Sequence, residues 1–69
     1  MEKGIFTVGR IYNQSEMLDG AYDNYQQAEE RYNELKADVK SGRFSYCLGV
    51  WILSWKDGKA TVRKEWYKN

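Results

Sequence analysis

Histidine is absent from this 69-residue chain and cysteine occurs once, as Cys47. That removes the commonest general base, the usual zinc ligand sets and any internal disulfide. Cys47 lies among Tyr46, Leu48 and Val50, an apolar setting in which the default is a buried, unreactive thiol. Glu29 and Glu30 are neighbours on a helical stretch and so point apart, which disqualifies them as an acid/base dyad. Gly4 and Gly9 are too isolated to cradle a phosphate. These residues predict a non-catalytic protein with no cofactor and no metal.

Charge gives two binding readings. From Ser15 to Asp38, seven acidic residues stand against Arg31 and Lys36, a net of −5, while the remainder holds nine cations against three acids, a net of +6. An acidic helix beside basic strands predicts mutual attraction within the fold and a solvated helix face. Through Glu29, Glu30, Glu34 and Asp38 that helix could also meet a basic surface on a protein partner, a complementarity that speeds association and selects partners. The basic strands suggest nucleic-acid binding as the alternative, with Arg63 on phosphates and Phe44, Tyr46 and Tyr67 stacking on bases. Glu65 in the same patch and a near-zero net charge weigh against it.

The elements that must position these side chains are legible in part. Gly4–Tyr12 is rich in β-branched and aromatic residues and reads as a strand, in which Gly9 either weakens pairing or marks a bulge. Asn13–Gly20 reads as a loop with a short turn near Glu16-Met17-Leu18. The helix is expected over Tyr25–Lys40, capped by Asp23 with Gln26 completing a capping box, and ended by Ser41-Gly42. Tyr25, Ala28, Tyr32, Leu35 and Val39 recur at spacings of three and four and form its inward face.

Asp57-Gly58 between two strand-like runs is a strong hairpin signal, since a type I′ turn needs positive φ at both central residues. An unbroken register from that turn pairs Trp55 with Ala60, Leu53 with Val62, Trp51 with Lys64 and Gly49 with Trp66. The side holding Trp51, Leu53, Trp55, Ala60, Val62 and Trp66 is the more apolar and is expected under the helix. The opposite side pairs Ile52 with Arg63, Val50 with Glu65 and Leu48 with Tyr67, with Phe44 and Tyr46 continuing the line. One helix cannot cover both sides, so Tyr46, Leu48, Val50 and Ile52 are expected to form an exposed patch suited to binding. The competing reading lays the long stems of Arg63 and Glu65 over Val50 and Ile52 as an ordinary solvated face.

Sixty-nine residues suffice for one domain, near the size at which oligomerisation becomes a common aid to stability. Met1 to Ile5 lacks the apolar run of a secretory leader, and no segment approaches the roughly 20 apolar residues of a membrane span. A soluble cytoplasmic protein is expected. The strand, helix, hairpin order resembles that of small bacterial and prophage proteins and of phage inhibitors of host defence, certain anti-CRISPR proteins among them. That resemblance, of layout alone, implies action by binding a larger protein. The sequence therefore predicts a single α+β domain, β-α-β-β, whose three-stranded sheet carries one helix on one face. Phe44–Trp55 is expected to be the central strand, and a right-handed crossover would run the first strand parallel to it. The expected function is that of a protein-binding module of inhibitor or adaptor type, self-associating or with a protein partner, through Phe44, Tyr46, Leu48, Val50, Ile52, Arg63 and Tyr67 together with the acidic helix.

Overall fold

The computed structural model describes residues 4–68. Residues 1–3 of the Met1–Ile5 leader reading, and the ends of the 1–69 domain range, lie outside them. Four strands and one helix follow in the order β1 (Ile5–Ile11), β2 (Glu16–Tyr22), α1 (Tyr25–Lys40), β3 (Gly49–Lys56) and β4 (Lys59–Tyr67). They form one antiparallel sheet in the spatial order β2-β1-β3-β4. The α+β class holds, but the three-stranded β-α-β-β arrangement does not. The segment expected to be a loop turns back at Tyr12–Ser15, closed by the Tyr12 N–H donating to the Ser15 carbonyl at 2.8 Å. It then runs antiparallel to β1 as β2. This reversal also makes β1 antiparallel to β3, so the parallel crossover does not occur. The layout that carried the resemblance to small phage inhibitors is therefore not the layout of this chain.

The helix spans the expected residues, with a different cap. Asn24, extended at φ −131° and ψ 125°, accepts from the backbone N–H groups of Gln26 and Gln27 through its side-chain oxygen. It lies immediately before the first helical residue, from where a short side chain reaches the second and third orphan donors; Asp23 is one residue too early. At the other end Gly42 takes φ +83°. The Gly42 N–H then donates to the Val39 carbonyl and the Arg43 N–H to that of Asp38, which is the Schellman closure.

Ala28, Tyr32, Leu35 and Val39 are buried along one helix stripe against Phe6, Val8, Val50 and Ile52 of the two central strands. Cys47 completes this core, its thiol donating to the Gly49 carbonyl at 3.4 Å. The expected core stripe of the helix is thus the observed one, with Tyr25 half-buried and edge-on to Phe6 at 5.5 Å.

Two bulges shape the sheet. In β2, Val8 pairs with Gly20 and Gly9 with Leu18, leaving Asp19 as the extra residue. Asp19 turns to the helix, where its two carboxylate oxygens accept from the Arg31 guanidinium at 2.7 and 3.0 Å. In β4, Leu53 pairs with Val62 but Ile52 pairs with Lys64, leaving Arg63 as the extra residue. The turn itself is as expected, with Asp57 at φ 52° and Gly58 at φ 77°. From Ile52 onward, however, every pair is displaced by one from the unbroken register, so that Val50 faces Trp66 and Gly49 faces Tyr67.

The Arg31 hydrogen bonds hold the Asp19 carboxyl below its ordinary pKa, outweighing its partial desolvation. A depressed folded-state pKa adds stability above the unfolded value, about 3.9, that is lost as pH falls below it. Asp19→Asn is therefore expected to cost about 1 kcal/mol at neutral pH and to flatten the loss of stability between pH 5 and 2, read by urea unfolding across that range.

Candidate protein-binding surface

The sheet has a helix-covered face and a helix-free face, and strand alternation with the observed register assigns each residue. Phe6, Val8, Val50 and Ile52 lie under the helix, as does half-buried Trp66. Across the helix-free face run four rows: Glu16, Ile11, Gly49 and Tyr67; Leu18, Gly9, Trp51 and Glu65; Ala21, Thr7, Leu53 and Val62; and Ile5, Trp55 and Ala60. The expected assignment is thus reversed. Trp51, Leu53, Trp55, Ala60 and Val62 are on the free face, and only Trp66, moved by the Arg63 bulge, meets the helix. Steric fit explains the choice. Ala28 in the first turn of the helix and flat, branched Val8, Val50 and Ile52 let helix and sheet approach closely, where a row of indoles would hold them apart.

The free face is apolar and open. Ile5, Leu18, Val62 and Tyr67 are each half or more exposed and Trp55 is 40% exposed. Trp51 is the exception at 8%, because its indole lies on Gly9. A Cβ built at Gly9 would stand 2.2 Å from Trp51 Cζ2 and 2.7 Å from the Met17 carbonyl oxygen. The Trp51 Nε1 donor is buried there without a hydrogen-bond partner. Trp55 also reaches across to β1, its Nε1 donating to Thr7 Oγ1 at 2.9 Å. The exposed surface is therefore built from the Trp55 indole, the Tyr67 ring and the aliphatic side chains of Ile5, Leu18 and Val62.

Charge is partitioned between the faces. Arg10 sits on the covered side, its guanidinium 4.3 Å from the Phe44 ring centroid and donating to the Tyr12 hydroxyl at 2.9 Å. Arg63 is likewise there, 4.8 Å from the Tyr25 ring centroid. Lys64 donates to Glu29 at 2.6 Å, a bond that raises the Lys64 pKa. On the helix-free face, among the described strand residues, Glu16 and Glu65 are the charged side chains.

The residues expected to bind a partner are scattered by this arrangement. Val50 and Ile52 are fully buried and cannot form a contact surface. Phe44 is half-buried beneath Arg10, and Arg63 and Tyr67 lie on opposite sides of the sheet. Tyr46 is 90% exposed in a turn at φ 65°, a left-handed conformation that costs a non-glycine residue about 1 kcal/mol. Leu48 is exposed beside it, bonded through its backbone to Ile11 and Lys68. Glu29 is engaged by Lys64 and Glu34 lies 3.7 Å from Arg31, while Glu30 is exposed. Of the expected strand residues, Tyr67 alone joins the helix-free face. Ile5, Leu18, Trp55 and Val62 were not selected from sequence, although the alternation that groups Leu53, Trp55 and Val62 was visible.

Substitutions on the two sides of the hairpin separate core from surface. Ile52→Ala is expected to destabilise by about 2–4 kcal/mol through cavity formation, and Val62→Ala by under about 1 kcal/mol, both read by chemical denaturation. Gly9→Ala drives a methyl group into Trp51 and the Met17 carbonyl and is expected to cost about 2 kcal/mol, with a shift in tryptophan emission. Comparison with protein-family models, with curated proteins and with solved structures finds no match to this chain.

Proposed function

We propose that this chain is a non-catalytic protein-binding module, of inhibitor or adaptor type, that engages its partner through the helix-free face of its sheet. The observation that carries this reading is the uncovered run of Ile5, Leu18, Leu53, Trp55, Val62 and Tyr67, with acidic groups only at one end. Exposed apolar surface of this extent, centred on aromatic side chains, is what interface cores are made of. Tryptophan and tyrosine supply large contact area at low entropic cost.

The absence of lysine and arginine from the described strand positions of this face disfavours nucleic acid, whose binding depends on cations beside the stacking rings. Arg10, Arg63 and Lys64 lie on the other side, where Tyr12, Phe44, Tyr25 and Glu29 engage them. The partner surface that fits is apolar with a basic margin. In this reading Cys47, buried and bonded to a backbone carbonyl, is a small core residue. No helix among the described residues is long and apolar enough to cross a membrane.

The test is comparative affinity capture from cell extract. Leu18→Glu and Val62→Glu, both at exposed sites, are expected to retain the parent's unfolding midpoint yet lose the captured protein by about tenfold or more. Capture that survives both changes, but is lost when Glu30 and Glu34 are replaced by lysine, would move the binding surface to the helix.

A further inference from the structure

We infer that the strip between α1 and β4, on the helix-covered side of the sheet, binds the phosphate backbone of duplex DNA without reading its sequence. The helix packs on β3, β1 and β2, which leaves β4 as a shelf beside it. Strand alternation from the Trp55–Ala60 pair turns Lys56 and Lys59 to this side. Further along the shelf Arg63 lies 4.8 Å from the Tyr25 ring centroid and Lys64 5.8 Å from that of Tyr32. The helix flank then supplies Lys36 and Lys40, over the Trp66 ring. Six cations therefore share one strip. Against them stand Glu29, bonded to Lys64 at 2.6 Å, and Asp57 in the turn. Glu34 lies on the other flank of the helix beside Arg31, and Asp38, four residues on, shares that flank. Among the described residues, Lys36, Lys40, Lys56 and Lys59 make no ion pair. A near-neutral chain has thus gathered its unpaired positive charge along one line.

Three features decide what kind of polyanion fits. The strand runs roughly 23 Å from Lys59 to Trp66, a length over which duplex DNA presents roughly a dozen charges. The rings of the strip are already covered: Tyr32 is buried, Tyr25 and Trp66 are half-buried, and cations lie over all three. Single strands bind by stacking their bases on bare rings, whereas a duplex keeps its bases stacked and offers phosphates. An acidic peptide adding itself as a strand would need a regular edge, and the extra residue at Arg63 breaks the β4 ladder. Phosphate contacts need no such ladder. The strip also lies on the opposite side of the sheet from Ile5, Leu18, Trp55 and Val62, so this inference stands apart from the role proposed for the helix-free face.

Binding of the purified full chain to a labelled duplex of about 20 base pairs, followed by fluorescence anisotropy across a salt series, tests this. Engagement of about five phosphates gives a slope of about −4.5 in log K against log salt, a loss of several hundred-fold between about 50 and 200 mM. Lys56→Gln with Lys59→Gln, and separately Lys36→Gln with Lys40→Gln, are each expected to weaken binding about tenfold or more at about 50 mM salt and to reduce the slope by about 2. The first pair lies at the exposed hairpin end, away from the core, and is expected to keep the parent's unfolding midpoint. Glu29→Gln releases Lys64 and is expected to tighten binding several-fold. The absence of duplex binding at about 50 mM salt with protein up to about 1 mM overturns the inference, and binding that both lysine pairs leave unchanged overturns the strip as its site. Tighter binding to a single strand of the same length overturns the duplex assignment. Displacement of the duplex by oligoglutamate of equal total charge, at equal concentration, overturns nucleic acid in favour of an acidic protein.

Discussion

One helix of 16 residues, about 24 Å long and about 10 Å wide, can shield one side of a four-stranded sheet, and every other feature of this molecule follows from which side it takes. It takes the side of Phe6, Val8, Val50 and Ile52, where branched and medium-sized side chains allow Ala28 to come down onto the strands. That choice commits Trp51, Leu53 and Trp55 to the opposite surface. The bulge at Arg63 then makes the choice self-consistent. Without the extra residue, Trp66 would sit beside Trp51 on the free face; with it, Trp66 swings under Lys36 and Lys40, 5.6 and 5.7 Å from its ring centroid, and closes one flank of the core.

The same geometry disposes of most of the charge. The acidic helix and the basic strands, so unequal in sequence, meet across the covered side: Arg31 with Asp19, Lys64 with Glu29, Arg63 over Tyr25. Each is partly exposed and modest in energy. Together they draw the strand cations to one side of the sheet and leave the other side apolar and faintly acidic. The apolar character of the free face is thus a by-product of how the helix is held. Gly9 supports it from beneath, since only a residue without a side chain leaves room for the Trp51 ring to lie flat.

Local signals were readable where local physics decides. The helix range, its inward stripe, its glycine stop, the Asp57-Gly58 turn and the pairs from Lys56 to Leu53 were all legible, because capping, periodicity and turn conformation depend on neighbours in sequence. β2 was hidden because Glu16–Tyr22 contains Asp19 and Gly20 and lacks alternation; its strand state comes from pairing with β1 rather than from propensity. The β4 bulge carries no sequence signature in Val62-Arg63-Lys64, and a single added residue displaces every later partner. The choice of face failed for a different reason. Counting apolar residues favoured the tryptophan side, whereas close packing against a helix favours smaller branched ones. The candidate binding residues inherited that error, so that Val50 and Ile52 became core and the exposed tryptophan side went unselected.

The face assignment is most directly tested by proton–proton nuclear Overhauser contacts from the three indole rings, which NMR resolves individually in a chain of this size. The account predicts contacts from Trp66 to protons of Lys36 and Lys40, from Trp51 to Gly9, and from Trp55 to Thr7, with none from Trp51 or Trp55 to the helix. Contacts from Trp51 or Trp55 to Ala28, Leu35 or Val39 would place the tryptophan side under the helix and contradict it.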